Sequence, residues 1–187
     1  MKSCITLSLV SSLKGGPWVL WDDLGAGLRK ATQLGFDTVE LFTAGPQAGM
    51  PNELKDLLNE TGLGLGAVGT GAGKVLKGLT LTDENPDIRA KAMSFIREMI
   101  NFGAEYNAPA IIGSMQGVHG GAVSREQAID WLQQSLVELG EHARAQGVTL
   151  IYEPLNRYES NLFNHYLEAC DFLDKLPTNG LSLLADL

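Results

Sequence analysis

Basic residues are scarce in this chain: 14 Lys and Arg stand against 22 Asp and Glu, a formal charge of −8. No run of Lys or Arg compensates locally, so bulk electrostatics argue against nucleic acid and anionic membranes as partners. Cysteine is nearly absent. Cys4 and Cys170 cannot build a disulfide framework or a Cys-rich zinc site, and both are read as buried thiols in a reducing compartment. No apolar run approaches the roughly 20 residues that cross a bilayer, so no membrane span is expected. The first ten residues resemble a short signal peptide, but Ile5, Leu7 and Leu9 alternate with Thr6 and Ser8, which is strand spacing. The expected localisation is cytoplasmic.

What is present is an ordinary folded chain. Hydrophobic residues make up 44% and charged residues 19%, which places the sequence among globular rather than disordered proteins. At roughly 100–200 residues per domain, 187 residues make a single domain over 1–187.

Short β-like runs alternate with longer helical stretches. After the first strand, Trp21 to Leu34 reads as a helix stopped by Gly35, and Asp37 to Phe42 as the second strand. Pro51 opens a helix through Leu54, Leu57 and Leu58 that Gly62 ends. Leu63 to Val68 is a glycine-softened third strand. Asp87 to Tyr106 is the longest helix, capped by Asn85 or Asp83 with Pro86 in its first turn. Pro109 to Gly113 is the fourth strand. Ser124 and Gln127 have capping-box spacing before a helix to Gln146, with Gly147 beyond it. Val148 to Glu153, His165 to Lys175 and Leu181 to Asp186 complete the pattern as strand, helix and strand.

Such alternation implies parallel strands with right-handed crossovers in an α/β fold. An open doubly wound sheet and a barrel of βα units both fit. Six strands and five helices favour the open sheet slightly, because a closed eight-unit barrel usually takes about 250 residues.

The densest chemistry lies at the end of the fifth strand, in Tyr152-Glu153-Pro154-Leu155-Asn156-Arg157-Tyr158-Glu159. Functional groups of parallel α/β folds collect on the loops that leave the C-terminal ends of strands. A loop built only to connect has no need of two carboxylates, an amide and a guanidinium within seven positions. Asp186 stands at the end of strand six as Glu153 stands at the end of strand five. Two carboxylates converging there would repel unless a proton or cation lay between them. Hard oxygen donors suit Mg²⁺ or Mn²⁺, which also stabilise an enediolate. The alternative is that Asp186 is simply an exposed residue near the end of the sequence. Gln116 and His119, just beyond strand four on the same face, are candidate substrate contacts.

The Glu-Pro-Leu-Asn-Arg-Tyr-Glu run, with Asp186 33 positions after Glu153, resembles the xylose isomerase-like TIM-barrel sugar isomerases and epimerases. Within that family it is most similar to the D-tagatose and D-allulose 3-epimerase branch. The Trp-Asp-Asp-Leu, Gly-Phe-Asp-Thr-Val-Glu-Leu and Ile-Ile-Gly-Ser-Met-Gln-Gly segments extend the resemblance over the whole chain. The resemblance reverses the preference for an open sheet and implies a TIM (β/α)8-type barrel, incomplete here at about five βα units plus a sixth strand.

It also implies a divalent-metal-dependent ketose epimerase or isomerase acting on a small-molecule sugar through an enediolate. Glu153 would be metal ligand and acid/base, Asp186 the second metal ligand, and Glu159 a substrate contact. The family's remaining His and Glu ligands would follow Leu187, so the isolated 187-residue form is expected to be inactive. Open edges on strands one and six would favour self-association into a homo-oligomer. A non-catalytic sugar- or metal-binding protein of the same fold is the alternative, as is a hydroxypyruvate or inosose isomerase-type enzyme. An abasic-site endonuclease on the related barrel fits poorly with the acidic charge and the three scattered histidines.

Gly64-Leu65-Gly66-Ala67-Val68-Gly69 matches a dinucleotide fingerprint by letter, but its glycines overlap the strand instead of following it. No helix is expected between there and about residue 87, and the intervening loop reads as a lid at the mouth of the barrel. His142 reads as a surface residue, while Trp18, Trp21 and Trp131 read as packing residues.

Overall fold

A computed structural model describes residues 2–15, 20–21, 23–49 and 51–185. Six strands form one parallel sheet: β1 (Cys4–Ser8), β2 (Thr38–Phe42), β3 (Gly64–Gly69), β4 (Ala110–Ile112), β5 (Leu150–Tyr152) and β6 (Leu181–Leu183). Each strand pairs with its neighbours in sequence, in the order β1-β2-β3-β4-β5-β6. A doubly wound sheet reverses its strand order part-way, whereas a βα barrel never does. The barrel is therefore the architecture, with β1 and β6 as the two edges of the sheet among the described residues.

Alternation along the strands separates core from interior. Leu7 on β1, with Val39 and Leu41 on β2, is fully buried in one core cluster that includes Leu24, Leu28 and Leu54 of the helical layer. The residues between them, Thr6 and Glu40, face the other side, the inside of the barrel. The helices α1 (Leu24–Gln33), α2 (Pro51–Thr61), α4 (Pro86–Ala104), α5 (Arg125–Ala145) and α6 (Tyr166–Leu173) sit where sequence periodicity places them, shifted by one to three residues at their ends. The caps explain the main shifts. Asp23 accepts from the Ala26 amide at 2.9 Å, so α1 starts at Leu24 and not at Trp21. Asn85 caps α4 through the Asp87 amide, and Ser124 caps α5 through the Gln127 amide.

One expectation fails outright. The glycine-rich stretch after β3 contains a helix, α3 (Ala72–Lys77), in place of an uninterrupted loop. Gly78 ends it in the left-handed region at φ +67°, donating back to the Lys74 carbonyl at 2.8 Å. Gly73 lets α3 lie against Met115, whose sulfur would stand 2.6 Å from an added Cβ. The glycines of this stretch serve packing and helix termination.

Two further corrections concern edges and thiols. The β1 edge is partly covered by the chain itself: Ser8 donates to the Leu20 carbonyl at 3.0 Å, and the Leu20 amide to the Thr6 carbonyl at 3.3 Å. Cys4 is exposed and Cys170 half-buried, neither in a disulfide. Cys4 opens an edge strand, beyond the cover of the helical layer. Trp131 packs against the core with the Arg89 guanidinium 3.8 Å over its ring, as a packing residue should. His142 is half-buried and pairs with Asn101 at 2.7 Å. Trp18 lies outside the described residues. No described helix is long and apolar enough to cross a membrane.

The last strand is positioned by a contact that only glycine permits. A Cβ at Gly180 would lie 1.9 Å from the Gly140 carbonyl oxygen of α5, and the Gly180 carbonyl accepts from Leu150 of β5 at 2.9 Å. Gly180→Ala must push β6 away from α5. The expected cost is about 2 kcal/mol or more in denaturant unfolding, and a change below about 0.5 kcal/mol would contradict this close approach.

Candidate functional site

The C-terminal ends of the strands surround a cavity of about 750 Å³. Its floor comes from the inward faces of β1 to β4: Thr6, Glu40, Gly69 and Ile111. Its rim is the loop after β5, with Glu153, Asn156 and Glu159, facing Tyr166 at the start of α6. Hydroxyl and amide groups from Thr70, Ser114 and Asn164 alternate with the apolar surfaces of Phe42 and Leu155. The lining contains no Lys or Arg among the described residues, and the Lys74 ammonium stands at the rim, donating to the Glu159 carbonyl at 3.5 Å.

Glu153 is the first residue beyond β5, and its amide donates to the Ile112 carbonyl at 3.0 Å, continuing the ladder by one rung. Strand alternation turns its side chain into the barrel while Tyr152 turns outward and is fully buried. Gly113, just beyond the neighbouring β4, leaves room for that carboxyl, since a Cβ there would meet Glu153 Oε2 at 2.8 Å. Glu159 stands on the exposed rim and accepts a hydrogen bond from the Asn156 amide. Asn156 Oδ1 accepts in turn from the Tyr158 amide at 2.9 Å, so this pair shapes a tight loop.

Gln116 and His119, expected to contact substrate, are placed otherwise. Gln116 is fully buried behind the rim. Its amide nitrogen donates to the carbonyls of Gly113 and Glu153, both at 3.0 Å. Its oxygen accepts from the Tyr152 hydroxyl at 2.6 Å and from Ser160 at 3.4 Å. Burial pushes the Tyr152 phenol far above its usual pKa, so it remains protonated and a donor. The amide thus uses both ends to join the exits of β4 and β5. His119 is held through its backbone: its N–H donates to Asn161 Oδ1 and its carbonyl accepts from Asn161 Nδ2, both at 2.9 Å. Neither side chain lines the cavity.

Tyr166 and Glu40 are among the lining residues that are not sequence candidates, Glu40 lying within the second strand. The signal for Glu40 was available: a carboxylate between the apolar residues Val39 and Leu41 must face the barrel interior. Its burial pushes the carboxyl pKa upward, partly opposed by the Thr6 hydroxyl, which donates to Oε2 at 3.3 Å.

For a cation, Glu153 offers the right kind of donor, a hard carboxylate oxygen. The described residues contain no group of three His, Cys, Asp or Glu side chains that could hold one. Asp186, the second expected ligand, lies outside the described residues.

Comparison with known proteins agrees with the strand order. The sequence profile of the family described as xylose isomerase-like TIM barrel matches residues 28–187. The chain belongs to the xylose isomerase-like TIM barrel family. Among curated members, it is 28% identical over 170 residues to a D-psicose 3-epimerase of Ruminiclostridium cellulolyticum, covering 85% of this chain and 55% of that protein. It is 22% identical over 170 residues to an L-ribulose 3-epimerase of Mesorhizobium japonicum, covering 88% of this chain and 54% of the relative. The chain thus spans about half the length of the curated relatives it matches. The crystal structure of D-psicose 3-epimerase with D-tagatose from Clostridium cellulolyticum H10 superposes with a TM-score of 0.74 at 22% identity. That match covers 98% of this chain and 62% of the other, and it supports the xylose isomerase-like barrel fold.

The Gln116 bracket makes a direct prediction. Gln116→Leu leaves the buried Tyr152 hydroxyl without its acceptor and the Glu153 carbonyl without its side-chain donor. Stability should fall by roughly 3 kcal/mol in denaturant unfolding. A loss under about 0.5 kcal/mol would show that the bracket carries little.

Proposed function

We propose that the cavity binds a ketose and that Glu153 transfers a proton at the carbon beside its carbonyl, the chemistry of a ketose 3-epimerase. The observation that carries this reading is the placement of Glu153. A carboxylate immediately beyond β5 points into an open cavity whose walls alternate polar and apolar surface. Such a space suits a polyol, with hydroxyls to meet side-chain oxygens and amides and C–H faces to meet Phe42 and Leu155. The likeness to a D-psicose 3-epimerase and an L-ribulose 3-epimerase adds support from sequence.

In this reading Glu153 removes the proton from the carbon next to the carbonyl, and the electron pair moves onto the carbonyl oxygen to give an enediolate. Protonation from the opposite face by a second carboxylic acid, which gives up its own proton, inverts the centre, whereas return from Glu153 after exchange with water restores it with a solvent proton. Glu159, held by Asn156 on the rim, accepts a hydrogen bond from a substrate hydroxyl near the carbonyl end. Gln116 holds the main chain at Glu153, so the base keeps its direction during the transfer. Glu153 and Asp186 are the residues that would hold a divalent ion, Mn²⁺ or Mg²⁺. When bound there, the ion supplies Lewis-acid polarisation of the carbonyl.

Solvent exchange tests the assignment. In D₂O with Mn²⁺ and D-psicose, the full polypeptide carrying these residues should place deuterium on the carbon beside the carbonyl. Glu153→Gln should slow that exchange by about 10²-fold or more. Exchange retained in the variant would refute the role of Glu153. Sugar binding without any exchange in the unaltered protein would favour a non-catalytic binding protein of the same fold.

A further inference from the structure

Glu40 remains unused by the chemistry assigned to Glu153 and Glu159. It lies in the wall of the same cavity, two residues before the end of β2, whereas Glu153 lies one residue beyond the end of β5. Its carboxyl is therefore deeper in the barrel than the proposed base. Glu40 is half-buried, and withdrawing a carboxyl from water is costly unless it is well satisfied. Among the described residues the hydrogen-bond partner of this one is the Thr6 hydroxyl, at 3.3 Å on Oε2.

The surrounding backbone makes room for it. The pairing of β2 with β3 shifts register at this point: Val39 is opposite Leu65 but Glu40 is opposite Ala67, which leaves Gly66 as the extra residue. Bulges of this kind increase local twist and re-aim a side chain, and they gather next to active sites. A side chain at Gly66 would come within 2.9 Å of Cys4 Sγ and Thr38 Oγ1, and one at Gly69 within 3.3 Å of Glu40 Oε1. Gly69 on the facing strand thus leaves room for the Glu40 carboxyl.

We propose that Glu40 is a further substrate-contacting residue, pairing at the cavity floor with a sugar hydroxyl remote from the reacting carbon and selecting among ketoses. The inference rests on the ketose reading of the cavity and deepens it. The Glu40 carboxyl lies in the cavity wall, where its oxygens can pair with a sugar hydroxyl. A site built to hydrogen-bond one hydroxyl discriminates strongly against ligands that lack it.

The test uses the full polypeptide carrying these residues and D-psicose, with binding followed by NMR titration and a set of analogues each lacking one hydroxyl. Glu40→Leu should weaken D-psicose binding about tenfold or more, and Glu40→Gln, which can still donate and accept, by less than about threefold. One analogue should bind the unaltered chain more weakly than D-psicose does, yet bind Glu40→Leu equally well. Glu40→Leu should also melt no lower than the unaltered chain, because it removes a half-buried carboxyl from the barrel interior; a purely structural role predicts the reverse. If Glu40→Leu binds D-psicose within about threefold and keeps the same analogue ranking, the inference is overturned while the ketose reading stands. If the unaltered chain does not bind D-psicose, both fall. Should Glu40→Leu not fold, Glu40→Asp decides, since it withdraws the same acid by one methylene: weaker binding traced to one hydroxyl supports the contact, and an unchanged ranking overturns it.

Discussion

The carboxamide of Gln116 joins two backbone segments that the fold would otherwise leave independent. β4 and β5 end together, but beyond their last paired residues nothing in a parallel sheet holds the exiting chains in register. Gln116 supplies that link with donors to Gly113 and Glu153 and an acceptor for Tyr152 and Ser160. Satisfied in full and buried, it acts as a rigid bracket. Asn161 and Asn164 extend the same principle, tying loop carbonyls to one another at 2.7 to 2.9 Å. The result is a loop rich in polar groups that is nonetheless ordered before any ligand arrives, the condition for positioning an acid/base group.

A second constraint comes from space. Parallel strands close their interior with side chains, and a cavity exists only where some are withheld. Here Gly69 and Gly113 withhold them beside Glu40 and Glu153 respectively, and both carboxyls line the cavity. This interior departs from a packed barrel core in the manner of a binding site, and the helical layer carries the stabilising apolar burial instead. Leu7, Val39, Leu41 and Ile112 all bury outward, against the helices.

Much of this arrangement was legible in the sequence, and the rest was hidden for identifiable reasons. Strand alternation, the Asn85 and Ser124 caps and the polar loop after β5 carry local signals, and each recurs in the structure within a few residues. Glu153 was readable because a carboxylate ending an apolar strand has one direction to face. The preference for an open sheet could not be settled by local pattern, since strand order is a property of the assembled sheet. Helix α3 was masked by glycines that suggest a loop but serve its packing on Met115 and its termination at Gly78. Gln116 looked like a mouth residue because its burial depends on Ser160, 44 positions later in the chain. Glu40 was overlooked because a strand carboxylate is noticed only once the inward face is known to line a cavity.

The central claim is that a sugar occupies the cavity at the ends of these parallel strands. Hydrogen–deuterium exchange of backbone amides, compared with and without D-psicose, tests it most directly. Added sugar should slow exchange in the segments around Glu40 to Phe42, Gly69 to Gly71, Gly113 to Gln116 and Glu153 to Ser160, leaving the outer helices α1 and α2 unchanged. Protection on those outer helices instead, or none at saturating sugar, would contradict the claim.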